Sequence, residues 1–249
     1  MQKQIVLSVN PDRLAHFFRL IKPVTTNHPL IRIGGEFDGG YLIPDDLDKI
    51  KVCFSPGVST IVDFELDLVK RGITCFLADY SVEAPPVQNK LFHFEKKYLG
   101  PSETSTDMTL ENWVKKSAPN QTDYILQMDI EGGEYGVIFD TSSEILRKFR
   151  IMVIEFHSMY ALIDKFGWEL INLAFTKILK DFKIVHIHPN NCCRSIVYNK
   201  FEIPPVVEFT FLRKDRITEM EPSLFFPHPS DRKNVPENND LLLPSCWYK

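Results

Sequence analysis

Tyr124-Ile125-Leu126-Gln127-Met128-Asp129-Ile130-Glu131-Gly132-Gly133-Glu134-Tyr135 is the stretch that decides the fold. Its first five residues form an apolar run suited to a strand buried on both faces, and the run stops abruptly at three acids and two glycines. In open α/β sheets ligands collect beyond the carboxyl ends of the strands, so Asp129 and Glu131 stand where a ligand would lie. A surface turn that opens a helix would explain Glu131 and Glu134 through the positive helix end. It would not explain an Asp in the last buried strand position.

Outward from this stretch, short apolar runs alternate with helical stretches. Strands are predicted at about 52–55, 74–78, 91–94, 124–128, 151–156, 183–188 and 206–212. Helices are predicted at about 61–71, 110–116, 135–139, 143–148 and 168–180, after a first helix opened by Asn10-Pro11. Ile171, Ala174, Phe175, Ile178 and Phe182 make one apolar stripe, which reads as core. The alternation implies an α/β domain with a Rossmann-like, mostly parallel sheet of seven strands and helices on both faces.

A chain of 249 residues can bury a full core as one large domain. Residues 1–214 read as that domain. Residues 215–249 read as a Pro-rich extension, with Pro222, Pro227, Pro229, Pro236 and Pro244 breaking any helix and Phe225, Phe226 and Trp247 as anchors against the domain or a partner subunit in a homo-oligomer. A net charge of −4 gives no long-range pull toward nucleic acid or an anionic membrane. The five cysteines lack metal-ligand spacing, so free thiols in a reducing compartment are expected. Residues 1–10 lack the apolar core of a signal peptide and no apolar run reaches the ~18 residues of a membrane span, so a cytoplasmic protein is expected.

Two further segments point to a ligand. The first strand runs into Ser55-Pro56-Gly57-Val58-Ser59, and the second ends at Asp79-Tyr80-Ser81. A glycine turn after the first strand, with an acid at the end of the second, lets a carboxylate hold two ribose hydroxyls. The turn has one glycine where a dinucleotide site wants three, and Pro56 lacks an N–H that a pyrophosphate would use. A nucleoside without phosphates fits better, and S-adenosylmethionine is such a ligand. The stretch 32–44, with Gly39, Gly40 and Tyr41, is either a hairpin turn or a loop laid against the ligand.

The order of motifs is more specific than any one of them. Asp38-Gly39-Gly40-Tyr41 is followed by the Ser55 to Ser59 turn, Ala78-Asp79-Tyr80-Ser81, Met108 to Trp113, Gln127 to Glu134, Val153-Ile154-Glu155-Phe156-His157, His188-Pro189-Asn190-Asn191-Cys192 and Val207 to Arg213. Over about residues 32–214 this order resembles the FkbM-like methyltransferases. The resemblance implies a class I S-adenosylmethionine-dependent fold with an antiparallel last strand, and O-methylation of sugars or other hydroxylated small molecules. It departs at the glycine-poor first turn, which is carried over only as the segment 55–59.

Methyl transfer to an alcohol needs in-line alignment and removal of a poorly acidic proton. The fourth and fifth strands are expected to be neighbours, bringing Asp129 to Glu155 and His157. These three could ligate Mg²⁺ or Mn²⁺, or His157 could act directly as base. A third reading makes Glu155 a structural acid and His157 a hydrogen-bonded strand-end residue. Glu131, His188, Asn190 and Asn191 are candidates for binding acceptor hydroxyls, although His-Pro-Asn-Asn is also good turn sequence. Two other function classes stay in view: a nicotinamide-dependent oxidoreductase on a similar fold, and a non-catalytic binding module.

Overall fold

A computed structural model describes residues 8–249. Residues 1–7, most of the stretch read above for a signal peptide, lie outside the described residues. Among the described residues no helix is long and apolar enough to cross a membrane.

Seven strands form the central sheet: β1 (Val52–Pro56), β2 (Thr74–Ala78), β3 (Phe92–Glu95), β4 (Tyr124–Met128), β5 (Phe149–Phe156), β6 (Phe182–Pro189) and β7 (Val207–Arg213). Their order is β6-β7-β5-β4-β1-β2-β3. The ladders β1–β2, β1–β4, β2–β3 and β4–β5 are parallel, and only β7 runs against its neighbours. This is the sheet expected from the sequence, antiparallel last strand included. The order reverses at β1 and β4, and the crevice beyond that point is where such sheets bind ligands.

Helices α1 (Pro11–Leu20), α2 (Asp63–Lys70), α3 (Leu110–Ser117), α4 (Glu134–Asp140), α5 (Ser143–Leu146) and α6 (Lys165–Leu179) cover the sheet. Asn10 caps α1 as read, its side chain accepting from Asp12 N. The predicted stripe of α6 is core: Phe175 meets Phe156 and Phe209 at ring separations of 4.8 Å each. Truncating such a residue to Ala would cost about 3–5 kcal/mol.

The stretch 32–44 is a hairpin, with Leu30–Gly34 paired antiparallel to Gly40–Pro44. It lies over one sheet face, where Thr210 Oγ1 donates to Leu42 O at 2.7 Å. The Pro-rich stretch after Lys214 packs on the same molecule. Met220–Pro222 pairs with Val24–Thr26, and the fully buried Trp247 donates from Nε1 to Glu202 O and meets Phe18 edge-on. The short pairings of Val24–Thr26, Tyr98–Leu99 and Ile196–Tyr198 were not among the expected strands, being too brief to show a period.

Candidate active site

A cleft of about 700 Å³ opens at the carboxyl ends of β1, β2 and β4. Of the residues expected to bind the cofactor, Gly39, Tyr41, Gly57, Val58, Ser59, Asp79 and Ser81 line it, together with Asp129 and Glu131. Gly40, Ser55, Pro56 and Tyr80 do not. Pro56 is buried in β1, and Tyr80 packs against Tyr98 at the rim. Gly40 is closed in by Gly35 O and the Arg32 side chain, so its lack of a Cβ serves the hairpin and leaves no role at the ligand.

Asp79 ties two turns of the cleft wall together. Oδ2 accepts from Ser59 N at 2.8 Å, and Oδ1 accepts from Ser81 N and Oγ at 2.7 and 2.6 Å. The carboxylate thus pins the turn after β1 to the end of β2; both lone pairs of Oδ1 are taken by Ser81, and Oδ2 keeps one for a ligand hydroxyl. Gly57, at φ +87°, is required by the backbone. A Cβ there would meet Asp129 O at 1.6 Å, so the turn passes β4 too closely for any side chain.

Along the cleft wall, through Tyr41, Glu65 and Gln127, runs a polar chain that the sequence does not reveal. Ser55 Oγ lies against Glu65 and 2.6 Å from Gln127 Oε1, and Gln127 Nε2 donates to Tyr41 OH at 3.3 Å. Burial, opposed by the Ser55 hydrogen bond, pushes the Glu65 carboxyl up to about 7. Ser55 has one proton and faces two oxygens, so a protonated Glu65 completes the chain as donor.

The acids foreseen at the ends of β4 and β5 converge on His157. Its Nδ1 is 3.0 Å from Glu134 Oε1, and its Nε2 is 3.3 Å from Glu131, 3.6 Å from Glu155 and 3.9 Å from Asp129. Glu134 is fully buried and also accepts from Gly132 N at 3.0 Å, which fixes it and through it the imidazole. Burial pulls His157 down, but Glu134 first, then Asp129 and Glu131, outweigh it and hold its pKa above 6.5. Burial pushes Asp129 up to about 7, with His157 opposing and Asp38, Glu131 and Glu134 adding to the rise. Burial, Asp129, Glu208 and Asp38 raise Glu155 well above the usual range, with Asn190 opposing. Glu208 is opposite Glu155 in the β5–β7 ladder and was not foreseen, because it sits mid-run in an apolar strand.

The backbone marks the same edge. Ser59, Glu131 and Ser158, in the turns after β1, β4 and β5, have φ of 41°, 55° and 57°, a conformation non-glycine residues adopt mainly where the surroundings impose it.

Of the other expected substrate residues, only Glu131 reaches the cleft. Asn190 donates to Glu155 Oε1 at 3.2 Å and so orients that acid. Asn191 is engaged by the Pro-rich stretch, donating to Val235 O and accepting from Val235 N, each at 2.8 Å; its amide serves as a tie and does not face an acceptor. His188 faces Asp231, away from the cleft lining.

For a divalent ion, the compact set is Asp129, Glu134 and His157, whose ligand atoms lie within 4.8 Å of one another. Glu134 stands here in place of the expected Glu155. Asp129 Oδ1, Glu134 Oε2 and Glu155 Oε2 are buried without hydrogen-bond partners, which is compatible with a cation or with hydroxyl donors of an acceptor.

Residues 71–172 match the family model described as the methyltransferase FkbM domain. That span runs from the end of α2 into α6 and holds Asp79, Asp129, Glu134, Glu155 and His157. The resemblance read from the motifs is therefore borne out there, and the chain carries an S-adenosylmethionine-dependent methyltransferase domain. No curated protein matches the chain. Among solved structures, the fibrillarin/Nop5p complex is similar at 12% identity and a TM-score of 0.39, covering 66% of this chain and 72% of that one. A presumed RNA methyltransferase from Pyrococcus horikoshii is similar at 12% and 0.32, covering 81% and 97%. A presumed methyltransferase of an antibiotic biosynthesis pathway from Anabaena variabilis is similar at 12% and 0.32, covering 74% and 68%. Likenesses this remote decide nothing about the acceptor.

Proposed function

We propose that the domain transfers a methyl group to a hydroxyl of a sugar, glycan or other polyhydroxylated small molecule, with His157 as the base. The observation that carries this reading is the lock of His157 Nδ1 on Glu134, which leaves Nε2 facing Asp129, Glu131 and Glu155 beside the cleft. When bound, S-adenosylmethionine supplies an electrophilic methyl group on a sulfonium. Asp79 and the turn 57–59 hold the nucleoside end. Neighbouring hydroxyls of the acceptor donate to the unpartnered oxygens of Asp129 and Glu155 and so orient it, and the reacting hydroxyl gives its proton to His157 Nε2. Tyr41 on the hairpin closes the cleft wall and excludes water. Acids clustered around the acceptor end disfavour a polyanion and suit a ligand rich in hydroxyl donors.

A second reading rests on the three ligand atoms of Asp129, Glu134 and His157. An Mg²⁺ or Mn²⁺ ion held there would lower the hydroxyl pKa and orient the acceptor. The test is methyl transfer from labelled S-adenosylmethionine to a panel of sugars and polyols, with and without chelator. Chelator-insensitive turnover that rises with pH above 6.5 supports His157 as base. Loss with chelator and recovery with Mn²⁺ supports the ion. No transfer to any hydroxylated acceptor, with thermal stabilisation by NAD in place of S-adenosylhomocysteine, would overturn the proposal in favour of the oxidoreductase reading.

A further inference from the structure

Away from the cofactor cleft, two imidazoles and a carboxylate converge where the Pro-rich stretch crosses the end of β6. His186 and His188 are two residues apart on one strand and share a face. His186 Nε2 is 2.8 Å and His188 Nδ1 3.8 Å from the same atom, Asp231 Oδ1. One ligand atom from each of the three residues falls within 4.8 Å of the others. The other Asp231 oxygen accepts from His228 N at 2.7 Å, so the carboxylate is held in place.

The His188 ring is the telling member. It is 7% exposed, its Nδ1 is too far from Asp231 for a hydrogen bond, and its Nε2 has no partner. It borders a cavity of about 210 Å³ that Asp231 and Asp240 also line. Buried polar groups are as a rule paired, so an imidazole left alone at a cavity wall points to a group the protein itself does not supply.

We propose that His186, His188 and Asp231 bind one divalent transition-metal ion of the Zn²⁺ type, in a site separate from the methyl-transfer centre. Two imidazoles and one carboxylate form a borderline donor set that suits Zn²⁺, whereas Mg²⁺ and Ca²⁺ favour oxygen ligands. Bonds of about 2.0–2.2 Å in tetrahedral geometry place ligand atoms about 3.3 Å apart. The observed 2.8 and 3.8 Å bracket that spacing, so small side-chain rotations close the site. The fourth position opens on the cavity, where water can complete it.

The ion clasps the Pro-rich stretch to the sheet. Three residues after Asp231, the Asn234 amide donates to Glu208, and Glu208 is paired in register with Glu155. The ion is thereby a positioning element for the acids at the acceptor end, and it takes no part in methyl transfer itself.

The full chain, stripped of metal and dialysed, is titrated with Zn²⁺ by calorimetry and with Co²⁺ by visible absorption. One equivalent is expected to bind, with the intense Co²⁺ bands of a four-coordinate site. Asp231→Asn and His186→Gln should each weaken binding more than about a hundredfold, beyond the loss typical of groups that only orient a ligand. His157→Ala should leave binding unchanged. X-ray absorption of the Zn²⁺-loaded unsubstituted protein should count two imidazole ligands, which keeps the test decisive if a variant misfolds, since the cluster around His157 can offer only one. Absence of stoichiometric binding, binding that survives both substitutions, or a single-imidazole site would overturn the assignment and leave Asp231 as a hydrogen-bonded strap.

Discussion

His157 presents Nδ1 to the fully buried Glu134 at 3.0 Å while its Nε2 faces three other carboxylates, so Glu134 both orients the ring and does most to raise its proton affinity, with Asp129 and Glu131 adding to it. Glu134 also accepts from the N–H groups of Ile130 and Gly132, which ties the imidazole to the turn after β4.

Replacing Glu134 by Gln keeps an oxygen for those N–H groups but removes the charge that does most to raise the His157 pKa above 6.5. A base must be neutral to accept a proton, so the rise of the rate with pH should move to lower pH. Turnover should fall by part of the ~10²–10⁴ that a general base contributes. An NMR titration of His157 beside the pH–rate profile checks this. If the imidazole pKa falls and the kinetic limb stays in place, His157 is not the base.

Asp79→Ala removes a prospective partner of the ribose hydroxyls and also the cap that holds Ser59 N and Ser81 N. Loss of charge-assisted contacts of about 1.5–3 kcal/mol corresponds to more than a tenfold drop in S-adenosylhomocysteine affinity. Calorimetry with the folded variant measures it, and an unchanged Kd would place the nucleoside elsewhere.

Gly39 and Tyr41 carry the hairpin to the cleft wall, and Gly39 has φ +76° with Ile61 Cγ2 2.6 Å from where a Cβ would stand. Saturating S-adenosylhomocysteine should slow amide exchange across residues 34–41. Gly39→Ala should weaken binding, because the strained hairpin would be pushed off Ile61. Exchange that is indifferent to the ligand would reduce the segment to a structural hairpin.

The strands 74–78 and 124–128 are legible to the residue, since each is a short apolar run ended by an acid. The meeting of Asp129 with Glu155 and His157 follows from sheet topology, because strand neighbours and side-chain alternation are set by pattern. Glu134 is legible only as a helix-start acid; that it grips His157, 23 residues on, depends on the exact turn after β4. Glu65 looks like one of three alternate acids on α2, and nothing in its spacing says that it faces Ser55. Asp231 reaches His186 from 45 residues away through a Pro-rich stretch with no period at all. Long-range polar pairings of this kind are made by packing and leave no local signal.

Burial raises Glu65 and Asp129 to about 7 and Glu208 to about 8, and it lifts Glu155 well above the usual carboxylate range, against ordinary values of 4.5 for Glu and 3.8 for Asp. Between about pH 4.5 and 8 the folded chain thus holds more of these protons than the unfolded chain does. The slope of unfolding free energy with pH is negative in that window: the contribution is complete below the unfolded pKa values and is lost as pH climbs through the folded ones. The Tm of the metal-free protein should accordingly fall from pH 5 to pH 8. Glu208→Gln is the sharpest probe, because the amide stays neutral, can accept from Asn234 Nδ2 as Glu208 does, and offers a donor to the unpartnered Asn234 Oδ1. It should change little at pH 5 and gain ~2 kcal/mol at pH 8, roughly 5 °C in Tm for a chain of this size. Thermal melts of both proteins across that range decide the point, since a variant with the same pH slope as the parent would mean that Glu208 is ionised in the fold and held by a partner other than its own proton.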